Sequence, residues 1–213
     1  MGRLKLNPVG PTINPGENKM KKIALGPQTL IYPMPAFLIG ANVGEKPNFM
    51  TAAWSGIAAS TPPMITVALQ HHRHTLKGIK ENGTFSVNVP SAEQVKETDY
   101  CGIVSGSTKA DKVKDCNFTV FYGKLKNVPL IEQCPVNLEC KAVHILTLGS
   151  HTLVIGQIEE VHLSEDCMTD GEPDPAKIDP IMYVTGANKA YYRIGKQIGP
   201  AFKIGLDIKK SRS

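Results

Sequence analysis

The segment from Asn48 to Thr75 holds the residue types best suited to binding a small ligand. Its first half carries Trp54, the one tryptophan of the chain, among small residues: Ala52, Ala53, Gly56, Ala58 and Ala59. Small side chains on a strand let a ligand lie close to the backbone. A flat ring system is therefore the expected ligand beside Trp54.

The second half of this segment changes abruptly from apolar to basic and polar residues. Arg73 and His74 stand directly before Thr75, where the sequence predicts the start of a helix. Free N–H groups and the helix dipole favour anions at such a position, and Arg73 would add charge-assisted hydrogen bonds. A phosphate site is predicted here. A phosphate joined to a flat ring describes FMN.

The histidines of the same segment allow a second interpretation. Imidazole is a common ligand of nickel, copper and zinc, and the run from His71 to His74 contains three histidines. Because neighbouring side chains on a strand point to opposite faces, only His72 and His74 would converge. A divalent transition metal at these two residues is the alternative to a phosphate.

Several functional classes are not supported by the sequence. The Gly-x-Gly-x-x-Gly, P-loop, His-Glu-x-x-His and Gly-x-Ser-x-Gly motifs are absent, so neither a classical dinucleotide fold nor a serine hydrolase is predicted. The net charge of +5 is dispersed without a long basic block, which argues against nucleic acid as a partner. A non-enzymatic β-barrel binding module would need exposed aromatic residues interleaved with Lys and Arg, and no such strand face is evident.

From residue 29 onward the pattern is that of short strands bounded by Gly, Pro and Asn. It favours a mainly β fold, a closed antiparallel barrel with a few short helices. One hairpin, 138–148 with 151–163, is apolar on both faces of its first strand, so it must be covered twice, and a second subunit is one candidate for the outer cover. The other predicted strands are 29–32, 37–43, 51–59, 65–70, 84–89 and 119–122, and the predicted helices are 74–81, 91–102 and 188–197.

The length of 213 residues predicts one domain. Residues 1–22 are interpreted as a flexible N-terminal arm or an added extension, 23–207 as the domain, and 208–213 as a C-terminal tail. Prolines interrupt the uncharged stretches 23–44 and 47–72, so no membrane span is predicted. The five cysteines never occur as Cys-x-x-Cys, which favours a reducing, cytoplasmic compartment.

Short motifs follow one another in a specific order along the chain: Asn48-Phe49-Met50-Thr51-Ala52-Ala53-Trp54, Ser60-Thr61-Pro62-Pro63, Arg73-His74-Thr75, Asn88-Val89-Pro90-Ser91, Lys109-Ala110-Asp111-Lys112, Gly149-Ser150-His151 and Tyr191-Tyr192-Arg193. In this order and spacing they resemble the flavin reductase-like FMN-binding split-barrel family, in particular its flavoredoxin branch. The resemblance covers about residues 23–207.

The resemblance implies a homodimer of antiparallel Greek-key split β-barrels, with one FMN per subunit held noncovalently near the dimer interface. His151 would approach the ring or the incoming reductant and is the candidate catalytic residue. Tyr192 would shield the ring. By the family pattern the remaining site residues are Thr51, Ala52 and Trp54 along the ring, His72, Arg73, His74 and Thr75 around the phosphate, and Asn48, Asn88, Lys109, Ala110 and Lys112 elsewhere in the pocket.

The function that the resemblance implies is electron transfer through bound FMN, with a redox partner protein or NAD(P)H as donor. An NAD(P)H-dependent flavin reductase that uses flavin as an exchangeable substrate is the alternative. Reductases similar to this chain carry Gly-Asp-His where it has Gly149-Ser150-His151. The absent aspartate argues against direct use of NAD(P)H.

Overall fold

The computed structural model describes residues 21–108, 111–206 and 208. The chain divides into two units, Met1–Leu30 and Ile31–Ser213. Described residues of the first unit are exposed and form neither strand nor helix. The strand predicted at 29–32 is wrong, because prolines before and after it cannot donate to a strand ladder and pairing begins only at Met34. The predicted arm lies mostly outside the described residues, and so does the predicted tail apart from Ile208.

Strands make up most of the regular structure in the described part of the chain. The strands are β1 (Met34–Pro35), β2 (Phe37–Val43), β3 (Lys46–Ala52), β4 (Ser55–Ser60), β5 (Pro63–Gln70), β6 (Thr84–Val89), β7 (Val120–Phe121), β8 (Leu130–Ile131), β9 (Val136–Leu148), β10 (His151–Leu163), β11 (Met168–Thr169), β12 (Glu172–Pro173), β13 (Ile181–Val184) and β14 (Ala190–Arg193). The helices are α1 (His74–Asn82), α2 (Val95–Ile103), α3 (Lys112–Asp115) and α4 (Pro175–Ile178), with 3₁₀ turns at Ala92–Gln94 and Glu165–Cys167.

Seven antiparallel strands form the main sheet in the order β3-β2-β6-β9-β10-β5-β4. The two edge strands, β3 and β4, are consecutive in sequence, and only Ala53 and Trp54 separate them. Such a link spans only about 10 Å, so the sheet must curl until its edges meet there. This confirms the predicted fold class, an antiparallel Greek-key split β-barrel with a few short helices. The single strand predicted at 51–59 is wrong, because the chain leaves one edge and enters the other at this link.

Two apolar clusters hold the barrel together. Alternate residues of a strand point to opposite faces, so Ile39 of β2 lies in the barrel interior while its neighbour Leu38 lies outside. The outer cluster packs Leu38 and Phe49 against α2 and the segment after α3, where Phe118 contacts Phe49 edge-on at 6.0 Å. The α2 helix is thereby fixed against β2 and β3. All five cysteines lie within the described residues and are free thiols, most of them buried.

The helix predictions are confirmed at two places and wrong at one. The α1 helix ends at Gly83, whose φ of 66° is left-handed and whose N–H reaches Ile79 O, as expected for a glycine stop. A capping box of Ser91 and Gln94 opens the turn before α2. The helix predicted at 188–197 is wrong: Ala190–Arg193 pairs with β13 instead, because its adjacent tyrosines fit a strand. No helix among the described residues is long and apolar enough to cross a membrane.

Candidate functional site

A cleft of about 460 Å³ opens at the link between β3 and β4. Its volume lies within the range of small-molecule sites. The cleft lies at the seam of the barrel, since Ala53 and Trp54, which link the two edge strands, are among its lining residues. The lining residues come from β3, β5, α2, the tip of the β9–β10 hairpin and the β13–β14 wall: Ala36, Met50, Thr51, Ala52, Ala53, Trp54, Ala68, Leu69, Gln70, Arg73, Asp99, Gly102, Ile103, His151, Tyr183, Thr185, Lys189, Ala190 and Tyr191.

Short side chains give this cleft access to the backbone. Five alanines and Gly102 are among the lining residues. A Cβ added at Gly102 would meet the Thr51 Cβ at 3.4 Å, so α2 approaches β3 closely there. The Thr51 hydroxyl donates to Thr98 O and fixes that approach. A flat ligand can lie against such a surface, as the sequence predicts.

Trp54 and His151 form an aromatic pair at the cleft. Their rings are stacked with centroids 4.5 Å apart and an interplanar angle of 28°. Burial, followed by the nearby His71 and Arg73, lowers the pKa of His151 below its ordinary value. The Nδ1 atom lies 2.7 Å from Ser150 Oγ. A neutral imidazole with a fixed partner therefore stands beside the indole.

Two cations support α2 from different sides. Arg73 lines the cleft, and its Nη1 donates to Gly102 O at 2.9 Å. Burial lowers its pKa from the usual arginine value. A guanidinium has five N–H groups, so other donors can serve an anion in the cleft. The second cation, Lys112, is buried and donates to Phe49 O at 2.9 Å and to Cys101 O at 3.0 Å.

The start of α1 forms a second polar cluster, next to Arg73 in sequence. Thr75 is fully buried, and its Oγ1 accepts a hydrogen bond of 2.6 Å from Asn48 Nδ2. Gly106 lies against both elements: a Cβ there would be 2.0 Å from Asn48 Oδ1 and 3.1 Å from His74 Cδ2. The fold thus brings Asn48, which lies on β3, to His74 and Thr75 at the start of α1.

The structure distributes the residues predicted from the sequence among three places. Five of them line the cleft: Thr51, Ala52, Trp54, Arg73 and His151. Three lie together at the start of α1: Asn48, His74 and Thr75. Lys109 and Ala110 lie outside the described residues, and the remaining four do not line the cleft: His72, Asn88, Lys112 and Tyr192.

Asn88 and Lys112 have structural partners instead of pocket positions. Asn88 is fully buried; its amide donates to Leu38 O and Ser86 Oγ and accepts from Ile131 N and Asn137 Nδ2. Polar residues in a core are normally satisfied in this way. Neither Asn88 nor Lys112 lines the cleft, so direct contact of either side chain with a ligand stays a prediction.

His72 and Tyr192 are exposed on the protein surface. His72 lies in the turn between β5 and α1. No group of three or more His, Cys, Asp or Glu side chains that could hold a metal occurs within 21–108, 111–206 and 208. The metal alternative at His72 and His74 stays a prediction from sequence alone.

Sequence reasoning missed the wall that β13 and β14 contribute. Tyr191, next to the predicted Tyr192, lines the cleft and donates to Asp99 Oδ1 at 2.9 Å. Its ring lies 5.7 Å from that of Tyr183. This wall was missed because a helix was predicted at 188–197. The adjacent Tyr191 and Tyr192 are a residue pattern that favours a strand.

Comparison with known proteins gives consistent matches. The model of the family described as "Flavin reductase like domain" matches residues 29–191. The flavoredoxin structure from Methanosarcina acetivorans superposes with a TM-score of 0.83 and 40% identity, covering 89% of this chain and 100% of that one. Flavoredoxin of Desulfovibrio vulgaris gives 0.81 and 38%, with 87% and 100% covered. An uncharacterised protein of Archaeoglobus fulgidus is 39% identical over 145 residues, 68% of this chain and 80% of that protein.

Proposed function

The chain belongs to the flavin reductase-like split-barrel family, in its flavoredoxin branch, and on that premise we propose that it binds FMN noncovalently and transfers electrons through it. One observation carries the proposal: the cleft at the barrel seam joins a surface of short side chains, an aromatic pair and a partly buried arginine.

The cleft fits FMN in both of its parts. Ala52, Ala53 and Gly102 leave space for a planar ring against the backbone. Arg73 stands between the cleft and the start of α1, so its guanidinium and the helix N–H groups suit the phosphate. When bound, FMN supplies the redox chemistry, while the protein supplies position and electrostatics. The positive charge of Arg73 would also favour a ring that gains electrons.

A charge-removing substitution at Arg73 tests this assignment. We expect Arg73→Gln to weaken FMN binding about 10- to 100-fold, because a hydrogen bond to a charged group contributes about 1.5–3 kcal/mol. Riboflavin, which has no phosphate, should bind both forms equally. Isothermal titration of each ligand measures the difference.

Lys77→Gln is the matched control, because Lys77 is an exposed cation of α1 that pairs with Glu81 at 3.7 Å. Its FMN affinity should remain that of the unchanged chain. Equal losses of FMN and riboflavin affinity in Arg73→Gln would refute the phosphate assignment.

The electron donor that we propose is a redox partner protein or NAD(P)H. His151 lines the cleft and has Ser150 beside it. In the alternative function, an NAD(P)H-dependent flavin reductase, a nicotinamide would approach the ring at this turn, although Ser150 stands where similar reductases carry an aspartate. Anaerobic stopped-flow reduction by NADH and NADPH, compared with dithionite, separates the donors. Gel filtration separates bound from exchangeable flavin, since only a bound group leaves the protein peak yellow.

We also propose that the chain is a homodimer. The outer half of β9 exposes Val143, Ile145, Leu146 and Leu148, and Ile57 of β4 is 70% exposed. Phe202, in the C-terminal segment, is 99% exposed. Large exposed apolar side chains in such number are typical of an interface, and a second copy would supply the outer cover that a strand apolar on both faces needs.

A further inference from the structure

His71 joins the turn before α1 to the tip of the β9–β10 hairpin. Its Nε2 lies 2.8 Å from Gly149 O, and its Nδ1 lies 3.0 Å from Thr152 Oγ1. A carbonyl oxygen can only accept, so Nε2 carries the proton of this bond. Nδ1 of the neutral ring can then accept from the buried Thr152 hydroxyl. Both ring nitrogens are therefore used to hold the hairpin.

The two contacts lie on either side of Ser150 and His151, and His151 lines the cleft. Gly149 precedes Ser150 and His151, and Thr152 follows them. The backbone of His151 is paired with that of Gln70, directly before His71. His151 in turn stacks on Trp54 at 4.5 Å and has Ser150 Oγ at 2.7 Å from its Nδ1. Movement of the tip would therefore move His151 across the indole.

We propose that His71 is a positioning residue, whose imidazole clamps the hairpin tip and so holds His151 against Trp54 at the mouth of the cleft. The kinetic consequence rests on the proposed function, because it requires a flavin in this cleft. The clamp itself does not, since it is a property of the polypeptide. His71 is not among the residues that line the cleft, and it acts through His151.

The sole tryptophan makes the clamp directly measurable. In the flavin-free full chain we expect stacking on His151 to quench the emission of Trp54, and His151→Ala to give the emission without the stack. We expect His71→Ala to produce most of that rise and His71→Asn a smaller one, because an asparagine amide can still donate to Gly149 O. His144→Ala is the control, since it removes an imidazole from the same hairpin away from its tip.

Kinetics on the FMN-loaded protein give the second readout. We expect His71→Ala to lower the rate constant of flavin reduction about tenfold, in keeping with the sensitivity of reactions to small misplacements. FMN affinity should stay unchanged, which a general loss of structure would not allow. Thr152→Val, which removes the partner of Nδ1, should shift emission in the same direction.

The emission measurement tests the clamp, and the flavin kinetics also depend on the proposed function. A chain that binds no FMN but shows the emission rise in His71→Ala supports the clamp and refutes the proposed function. Emission of His71→Ala and Thr152→Val equal to that of the unchanged chain overturns the clamp, whatever the flavin does. Thr152→Val decides the matter alone if His71→Ala does not fold.

Discussion

At the scale of single residues, Trp54 and His151 are the pair whose arrangement in the cleft can be followed by fluorescence. Their stack brings a titratable ring within 4.5 Å of the only indole. The sequence predicted Thr51, Ala52, Trp54 and Arg73 because they lie close together in one segment. It missed Tyr191, whose place in the cleft depends on Asp99, 92 positions away in the chain.

The lowered pKa of His151 predicts a specific pH dependence. Burial and the neighbouring His71 and Arg73 disfavour the charged imidazolium, so His151 stays neutral until the pH falls below the ordinary histidine range. Because imidazolium quenches indole strongly, Trp54 emission should fall only in that acidic window. Fluorescence titration of the flavin-free chain measures it.

His151→Gln should remove this transition, in addition to the change in emission that loss of the stack itself produces. A midpoint at or above the ordinary histidine value would contradict the buried, charge-flanked environment described for His151.

At the scale of elements, the local sequence pattern identified those strands that can be recognised from their own residues. The bounds of β2, β6 and β10 match the predicted 37–43, 84–89 and 151–163. The predictions were wrong where a distant pairing partner determines the structure. The segment Ala190–Arg193 forms strand β14 because it pairs with β13. The break at Ala53–Trp54 follows from closure of the whole sheet, which a local pattern does not contain.

Glu139 shows how a buried charge fixes a loop to the hairpin. Burial alone would raise its pKa, but hydrogen bonds from His162 Nε2 and from the N–H groups of Leu125 and Lys124 lower it overall. A carboxylate with a depressed pKa stabilises the fold above its unfolded-state pKa, and that contribution is lost as the pH falls through the folded-state value.

Glu139→Gln should therefore destabilise the protein by about 1–3 kcal/mol near neutral pH, since the loop donors lose a charged acceptor. The difference from the unchanged chain should shrink as the pH falls below the ordinary glutamate range. Urea denaturation across this range measures it. Glu160→Gln, an exposed carboxylate on the neighbouring strand β10, should have little effect. A constant difference for Glu139→Gln at every pH would refute the account.

At the scale of the whole molecule, the cleft forms at the place where the barrel closes. The edges of the seven-stranded sheet meet through two residues, and the ligand-facing surface lies at that meeting point. A closed antiparallel barrel followed from strand spacing and turn chemistry, and its Greek-key split form followed from the family resemblance. The order of the strands in the sheet did not, because pairing such as β10 with β5 joins segments about 80 residues apart.

The proposed homodimer gives a prediction at this scale. The double variant Leu146→Ser with Leu148→Ser should weaken self-association at least tenfold, since it removes two exposed apolar side chains from the proposed interface. Analytical ultracentrifugation over a range of concentrations measures it. Val161→Ser, an exposed apolar site at the other end of the hairpin, should not change the dimer. A monomer in the unchanged chain would refute the dimer.

The most direct test of the central claim is titration of the flavin-free full chain with FMN, followed by Trp54 emission and flavin absorbance together. The cleft beside Trp54 predicts saturable quenching with one FMN per chain and a protein peak that stays yellow on gel filtration. A colourless peak with Trp54 emission unaffected by FMN would contradict the proposed function.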